Sequence, residues 1–359
     1  MSLTLREGSE AMADAAIAAG LRFYAGYPMA PSTDLLEHLA RKLPDTEGVC
    51  INAETEISGI NMAIGAAMTG FRAATGSCGQ GLALMQEAIA ETALHETPLV
   101  VFNVGRNQQD YFQATRGGGW GDYRTITFAP KDVQDAFHLT QLLFHLTDKY
   151  RVPGILYTDG MLARTQMGIE LAPLEFEPLP PKDWALDGTL TGTGRSRNYW
   201  TWALGKHNTP GPGPTAHWTR LAEKFELISR AEARSEQAFV EDAEVLVIAF
   251  GTAAKFVEYV VAELRADGHR VGWFRPVSLW PFPGEALEAA AANARTIAVF
   301  ELNAGQMIDD VRLNVPNRRL VRGIGGISFD ASGMNMGPLL DAPIIRQRIL
   351  DVLRGDVPS

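Results

Sequence analysis

The sequence is short of cysteine, of basic residues relative to acidic ones, and of long apolar runs. Cysteine occurs twice in 359 residues, as Cys50 and Cys78. That is too few for a cysteine-ligated iron–sulfur cluster, and the spacing is not that of a paired zinc site or a disulfide framework. Thirty-two basic residues stand against 42 acidic ones, a formal charge of −10. A surface built for phosphate backbones or anionic membranes would oppose that field, so neither nucleic acid nor membrane is expected as a partner. No stretch reaches the roughly 18 apolar residues of a membrane span. The opening Met1-Ser2-Leu3-Thr4-Leu5-Arg6-Glu7-Gly8 has no basic-then-apolar signal pattern. These absences lead to the expectation of a soluble protein in the reducing cytoplasm. None of the seven histidines forms an H-x-x-x-H pair or lies near a G-x-S-x-G elbow, so zinc-protease and hydrolase readings find no support.

What is present is ordinary globular composition, 46% hydrophobic and 21% charged, in a chain long enough for two to three domains of about 150 residues each. Small apolar residues recur at helical spacing over 9–20 and stop at Gly20, which suits a left-handed cap. A short strand over 22–28 is broken by Gly26 and Pro28, and Ser32 or Thr33 can cap a helix to about Leu43. The same β-turn-α step recurs at 49–52 before a helix over 56–70, at 72–75 before one over 82–95, and at 99–104 before a long loop. An amphipathic helix over 132–150 then leads to a strand at 155–157. Strands alternating with helices imply a parallel sheet covered on both faces. Residues 173–217 are dominated by Pro, Gly, Thr and Trp and read as a connector, followed by a charged helix over 219–239. A second alternation has strands at 244–250, 271–274 and 296–301 and ends near Asn314. It leaves a tail with a turn at 323–326 and a last helix over 339–353. The fold class expected is α/β with two parallel-sheet domains, 1–172 and 241–359, joined by a connector with a charged helix at 173–240.

Four places can carry chemistry. Glu54 and Glu56 open a helix of small apolar residues. Burial there would turn a carboxyl into a proton carrier near neutrality, while a capping pair favoured by the helix dipole explains the same residues. The turn Gly76-Ser77-Cys78-Gly79-Gln80-Gly81 lies between a strand and a helix. Its free backbone N–H groups suit an anion or a ring edge, although such turns are also plain punctuation; Cys78, with no assignable base, reads as a packed residue. The stretch from Arg106 through Gln113 and Arg116 to Arg124 follows the end of a strand, where open α/β sheets place ligands. Its guanidinium groups suit bidentate carboxylate binding, and a solvated glycine loop is the plain alternative. In the second alternation, Phe250-Gly251-Thr252 is either an anion-binding helix start or a tight turn. The run from Phe274 to Pro283 puts aromatics in a proline-stiffened loop typical of subunit contact.

Taken together, Gly26-Tyr27-Pro28-Met29-Ala30-Pro31-Ser32-Thr33, Ala53-Glu54-Thr55-Glu56-Ile57, residues 60–67 and residues 110–124 resemble the α-type subunit of the 2-oxoacid:ferredoxin oxidoreductases. The likeness continues through residues 148–151, 159–162, 274–283 and 301–312 and is nearest the 2-oxoisovalerate, VorB-like branch. The resemblance implies a pyrimidine-type thiamine diphosphate-binding fold followed by a transketolase C-terminal-like domain. It implies thiamine diphosphate shared with a partner β subunit that binds the diphosphate and Mg²⁺, because this chain has no G-D-G with a paired Asn. A γ subunit and a ferredoxin-like subunit carrying [4Fe-4S] clusters complete the expected assembly, and no metal is expected on this chain. Glu56 matches the family glutamate that hydrogen-bonds the aminopyrimidine and is the expected catalytic residue, with Tyr27, Pro28, Ser77 and Gly79 as further cofactor contacts. Arg106 aligns with the arginine that faces the substrate carboxylate, and Gln113 and Arg116 join it as substrate-binding candidates.

Two departures from the family pattern fall where substrate is chosen. Ala30 replaces the usual threonine of the Gly-Tyr-Pro-Ile-Thr-Pro motif, and the Gly/Pro-rich loop after Arg106 is missing. Loss of the hydroxyl makes the pocket less polar and suits a larger apolar or aromatic side chain, so an aromatic 2-oxo acid stands beside the branched-chain one. The implied activity is CoA-dependent oxidative decarboxylation of such a 2-oxo acid to acyl-CoA and CO2, with electrons passed to ferredoxin. The alternatives are a noncatalytic scaffold subunit of such a complex and the β chain of a lipoamide-linked 2-oxoacid dehydrogenase.

Overall fold

The computed structural model describes residues 3–186, 214–315, 320–333 and 336–356. The first alternation forms a seven-stranded sheet in the order Ser278–Trp280, Ile126–Phe128, Pro153–Asp159, Leu99–Gly105, Arg72–Ser77, Leu21–Gly26, Val49–Asn52. All neighbours are parallel except Ser278–Trp280, which runs antiparallel to Ile126–Phe128. Leu99–Gly105 and Pro153–Asp159 are buried at every residue. Both are dominated by apolar residues because packed helices leave neither face to water. The helices Gly8–Ala18 and Val133–Tyr150 pack on each other, and Glu56–Met68 packs on Arg72–Ser77 and Leu21–Gly26.

The register decides where function can sit. Gly26 pairs with Asn52, Ser77 with Asn103 and Gly105 with Asp159. The loops that leave Gly26, Asn52, Ser77 and Gly105 therefore emerge together at the carboxyl edge of one sheet, where open α/β folds hold ligands.

The second alternation forms a five-stranded sheet in the order Leu320–Gly323, Thr296–Val299, Val245–Ile248, Val271–Pro276, Ser235–Ala238, the last antiparallel. A strand and a helix follow the expected end near Asn314: Leu320–Gly323 extends the sheet, and Ala342–Arg354 packs against Gly251–Ala266. The charged helix runs over Pro214–Ala231, earlier than expected, and residues 235–238 form an edge strand instead of its last turn. The part of the connector at 187–213 lies outside the described residues. Up to residue 186 it is tied down: Leu186 N–H donates to Met68 O, and the Arg151 guanidinium lies 4.9 Å from the Trp184 ring.

Other boundaries shift for local reasons. The helix expected over 82–95 is two pieces, Gly79–Leu84 and Gln86–Leu94. The long loop after the Leu99–Gly105 strand contains a short helix, Tyr111–Thr115, and the strand Ile126–Phe128. The run 274–283 is not an exposed aromatic loop: Phe274 and Leu279 are each 1% exposed, and Ser278–Trp280 is a strand of the first sheet. Closing the sheet edge at Ile126–Phe128 gives these backbone groups partners that a loop would have left to solvent.

Candidate active site

Glu56 is the first residue of its helix and is only 4% exposed. The helix is capped by Thr55 and Ser58, which exchange backbone-to-side-chain hydrogen bonds of 3.1 Å each, so neither glutamate is needed as the cap. Oε1 of Glu56 accepts the Ser77 hydroxyl at 3.1 Å, and no other side chain among the described residues donates to this carboxylate. Gly81 makes the space for it: a Cβ there would lie 2.4 Å from Glu56 Oε1 and 2.0 Å from Ser77 Oγ.

Gly79 follows Ser77 in a left-handed conformation, φ +46°, and its N–H donates to Asp110 Oδ2 at 3.0 Å. Asn103 Nδ2 donates to the same oxygen at 3.3 Å. Burial pushes the Asp110 carboxyl above its usual range, against the pull of the Gly79 and Asn103 donors and the Arg106 guanidinium. Cys78 is buried, its thiol donating to Ala30 O at 3.4 Å, and burial pushes its pKa up to about 11. It is a neutral packed thiol, not a nucleophile.

Arg106 leaves the end of Leu99–Gly105 and spans two loops, toward Gln80 Oε1 at 3.5 Å and Met29 Sδ at 3.8 Å. Its side chain, with Gly79, Gln80, Asp110, Gln113 and Phe329, lines a cleft of about 460 Å³. Three buried polar atoms on this lining have no hydrogen-bond partner: Arg106 Nε, Asn107 Nδ2 and Gln113 Oε1. Orphaned donors and an acceptor clustered at one cleft are what a polar ligand would satisfy.

The expected site residues divide by position. Glu56, Ser77 and Gly79 meet in one corner, and Arg106 and Gln113 line the adjoining cleft. Ala30 sits beside Cys78, and Tyr27 and Pro28 are exposed on the loop leaving Gly26. Arg116 does not line the cleft; it stacks over Phe112 at 4.4 Å and pairs with Asp310 at 3.4 Å. The glycine loop beyond it is pinned. The Gly118 and Gly119 N–H groups donate to the Tyr123 hydroxyl, and Trp120 Nε1 donates to Glu91 at 2.6 Å. Gln108 fills the Gly251 turn, donating to Phe250 O at 2.8 Å. Phe329 and a set of amides from the second sheet, Asn303 and Gln306, were not singled out from the sequence, because nothing local marks them as parts of this loop cluster. Among the described residues no cluster of His, Cys, Asp and Glu is arranged to hold a metal.

The family described as pyruvate flavodoxin/ferredoxin oxidoreductase, thiamine diphosphate-binding, matches residues 14–184, and pyruvate:ferredoxin oxidoreductase core domain II matches residues 243–334. The ketoisovalerate oxidoreductase subunit VorB of Methanothermobacter marburgensis is 33% identical over 341 residues, covering 91% of this chain and 94% of the relative. The chain belongs to the 2-oxoacid:ferredoxin oxidoreductase family. Another relative is the 2-oxoglutarate synthase subunit KorA of Methanothermobacter thermautotrophicus, 34% identical over 340 residues, covering 85% of this chain and 89% of its own. The solved 2-oxoglutarate:ferredoxin oxidoreductase from Magnetococcus marinus, with 2-oxoglutarate, coenzyme A and succinyl-CoA bound, superposes with a TM-score of 0.83 at 25% identity. That match covers 98% of this chain but 65% of the other, so this oxidoreductase subunit spans about two thirds of that chain's length. A split-gene transketolase, an inactive β4 tetramer, shares the fold at TM-score 0.57 and 12% identity. As an oxidoreductase subunit with a thiamine diphosphate-binding fold, the chain keeps Glu56 and Arg106 inside the first matched region and Gln306 inside the second.

Proposed function

We propose that this chain is the α subunit of a thiamine diphosphate-dependent 2-oxoacid:ferredoxin oxidoreductase acting on a branched-chain or aromatic 2-oxo acid. The products are an acyl-CoA, CO2 and reduced ferredoxin. The observation that carries the reading is the buried Glu56 carboxylate at a helix start, held by the hydroxyl of Ser77, which opens the turn whose Gly79 lines the Arg106 cleft. The residues fit the aminopyrimidine end of thiamine diphosphate: Glu56 Oε1 is engaged by Ser77, its other oxygen is left for a ligand, and Gly81 leaves room for the Ser77–Glu56 pair. When bound, that cofactor supplies the nucleophile for the 2-oxo carbon and takes up the electron pair left as CO2 departs. Glu56 would hold the ring and favour its proton-carrying tautomer, a carboxylate role that burial strengthens. Ser77 keeps the carboxylate oriented, and Gly79 shapes the turn at its side.

Arg106 offers its guanidinium to the substrate carboxylate. Among the described residues the cleft lining contains no second cation, and Asp110 places a carboxyl in the same wall. A dicarboxylic 2-oxo acid would leave its distal charge facing Asp110 without a counterion, at a cost in affinity. Phe329 and Ala83 in the lining, with Met29 against the Arg106 guanidinium, instead favour an apolar side chain, which agrees with the ketoisovalerate named for VorB more than with the 2-oxoglutarate named for KorA. The β subunit with Mg²⁺ and diphosphate, and the γ and iron–sulfur subunits, belong to this proposal as partners.

The test is viologen reduction by the co-purified complex, dependent on CoA and on a panel of aliphatic and aromatic 2-oxo acids. Glu56→Gln is expected to abolish turnover. Full activity in that variant would remove Glu56 from the mechanism. A complex that binds thiamine diphosphate but turns over nothing in the panel would favour a scaffold role, and dependence on a lipoyl carrier would favour the dehydrogenase β chain.

A further inference from the structure

Asp110 stands at the N-cap of the short helix Tyr111–Thr115, yet its side chain makes no capping bond. Its Oδ2 is spent on the other side, accepting Gly79 N–H at 3.0 Å and Asn103 Nδ2 at 3.3 Å, while Oδ1 accepts the Gln113 side-chain amide at 3.5 Å. The first turn of the helix is thus left with a free donor that a cap would ordinarily satisfy. That donor, Phe112 N–H, is taken by Gln306 Oε1 at 2.8 Å, from the second sheet unit and 194 residues away. The other end of the same amide, Gln306 Nε2, donates to Gln109 O at 2.8 Å. One side chain clamps the backbone on both sides of Asp110. The clamp is itself fixed, because Gln306 N–H is held by Glu301 Oε2 at 3.2 Å and Asn303 Oδ1 at 3.1 Å.

We infer that Gln306 is a positioning residue for the substrate cleft: by capping the Tyr111–Thr115 helix from outside, it frees Asp110 to hold the Gly79 turn. The inference rests on the proposed 2-oxo acid reading for what the cleft binds. Without the clamp, Asp110 is the N-cap residue whose carboxylate would take Phe112 N–H, and turning its Oδ2 toward that donor would release Gly79 and shift Gln80, the partner of Arg106. The cleft would lose its shape while Glu56 and Ser77, anchored on other elements, would keep theirs.

The experiment uses the assembled complex with Gln306→Leu and Gln306→Glu, the latter keeping an acceptor for Phe112 N–H. For Gln306→Leu the KM for the 2-oxo acid is expected to rise about tenfold, the effect of one well-placed hydrogen bond. Thiamine diphosphate affinity and kcat should stay within about twofold, because the lost contact serves binding and not the reacting atoms. Hydrogen–deuterium exchange over residues 109–116 should quicken, and Gln306→Glu should fall between wild type and Gln306→Leu in both KM and exchange. A Gln306→Leu complex with wild-type KM, Gln306→Glu impaired as much as Gln306→Leu, or loss of thiamine diphosphate binding in step with KM would overturn the inference. If the wild-type complex turns over no 2-oxo acid, the proposed activity is what fails. Exchange at 109–116 in the two variants still decides the clamp, unchanged exchange counting against it.

Discussion

Gly81 is the narrowest point beside the Glu56 carboxylate. Its missing side chain is a geometric requirement, since a Cβ would fall within 2.0 Å of Ser77 Oγ and 2.4 Å of Glu56 Oε1. Both are side-chain oxygens, so a methyl group there displaces them and leaves the backbone in place. Gly81→Ala is therefore expected to fold with nearly the wild-type melting temperature and lose about 100-fold in turnover, the scale of an ångström's misplacement of a reacting group. Wild-type turnover in that variant would show that the Ser77–Glu56 arrangement is not needed. Cys78, three residues before Gly81 in the same turn, is the contrasting case, buried and protonated. It explains no chemistry and packs under Ala30.

Elements differ in how far they can be read from the chain alone. The Leu99–Gly105 strand is legible because its burial leaves an apolar run over residues 99–102, and the Glu56–Met68 helix because its cap and small-residue face are local. Ile126–Phe128, Ser278–Trp280 and Ser235–Ala238 are not, being three or four residues long and defined by partners distant in sequence. In the site, Glu56, Ser77, Gly79 and Arg106 lie on or just beyond parallel strand ends, so the α/β alternation itself brings them to one edge. Arg116 and Gln306 show the limit: each is set by a contact between residues 194 apart, which no local pattern signals. The Pro214–Ala231 helix is held in a similar way, through Glu96, which pairs with Arg220 at 2.8 Å and Lys224 at 3.1 Å. Burial pushes the Glu96 carboxyl up, but Lys224, Arg220 and Arg151 outweigh it and bring the pKa from 4.5 down to about 2. A carboxylate depressed on folding contributes stability that is complete above its unfolded value and is lost as pH falls through the folded one. Glu96→Gln is expected to cost about 2–3 kcal/mol at pH 7. The gap to wild type should shrink by about half at pH 3, read as urea midpoints at the two pH values. An equal gap at both would show that the ion pairs do not dock this helix.

At the scale of the whole molecule, the two sheets share one apolar core. Phe250, at the end of a second-sheet strand, lies 5.4 Å from the Tyr111 ring and 5.8 Å from the Tyr157 ring of the first unit, and Ser278–Trp280 crosses over to extend the first sheet. Arg275 is wholly buried between them, donating to Ala129 O at 2.7 Å and pairing with Glu236 at 3.0 Å and with Asp135. Such a charge tolerates burial only while its partners surround it, and those partners come from both units. The chain should then unfold as one cooperative body by calorimetry, since neither sheet can open without exposing the shared core and stranding Arg275 or its acceptors. Arg275→Ala leaves Asp135 and the Ala129 carbonyl short of a donor and opens a cavity, with an expected cost of about 3–5 kcal/mol. The single transition should move to lower temperature without splitting. Two separate transitions in the wild type would mean the sheets are independent units. The Gln306 clamp would then span a mobile joint, and the cleft it shapes could not be held by the second unit at all.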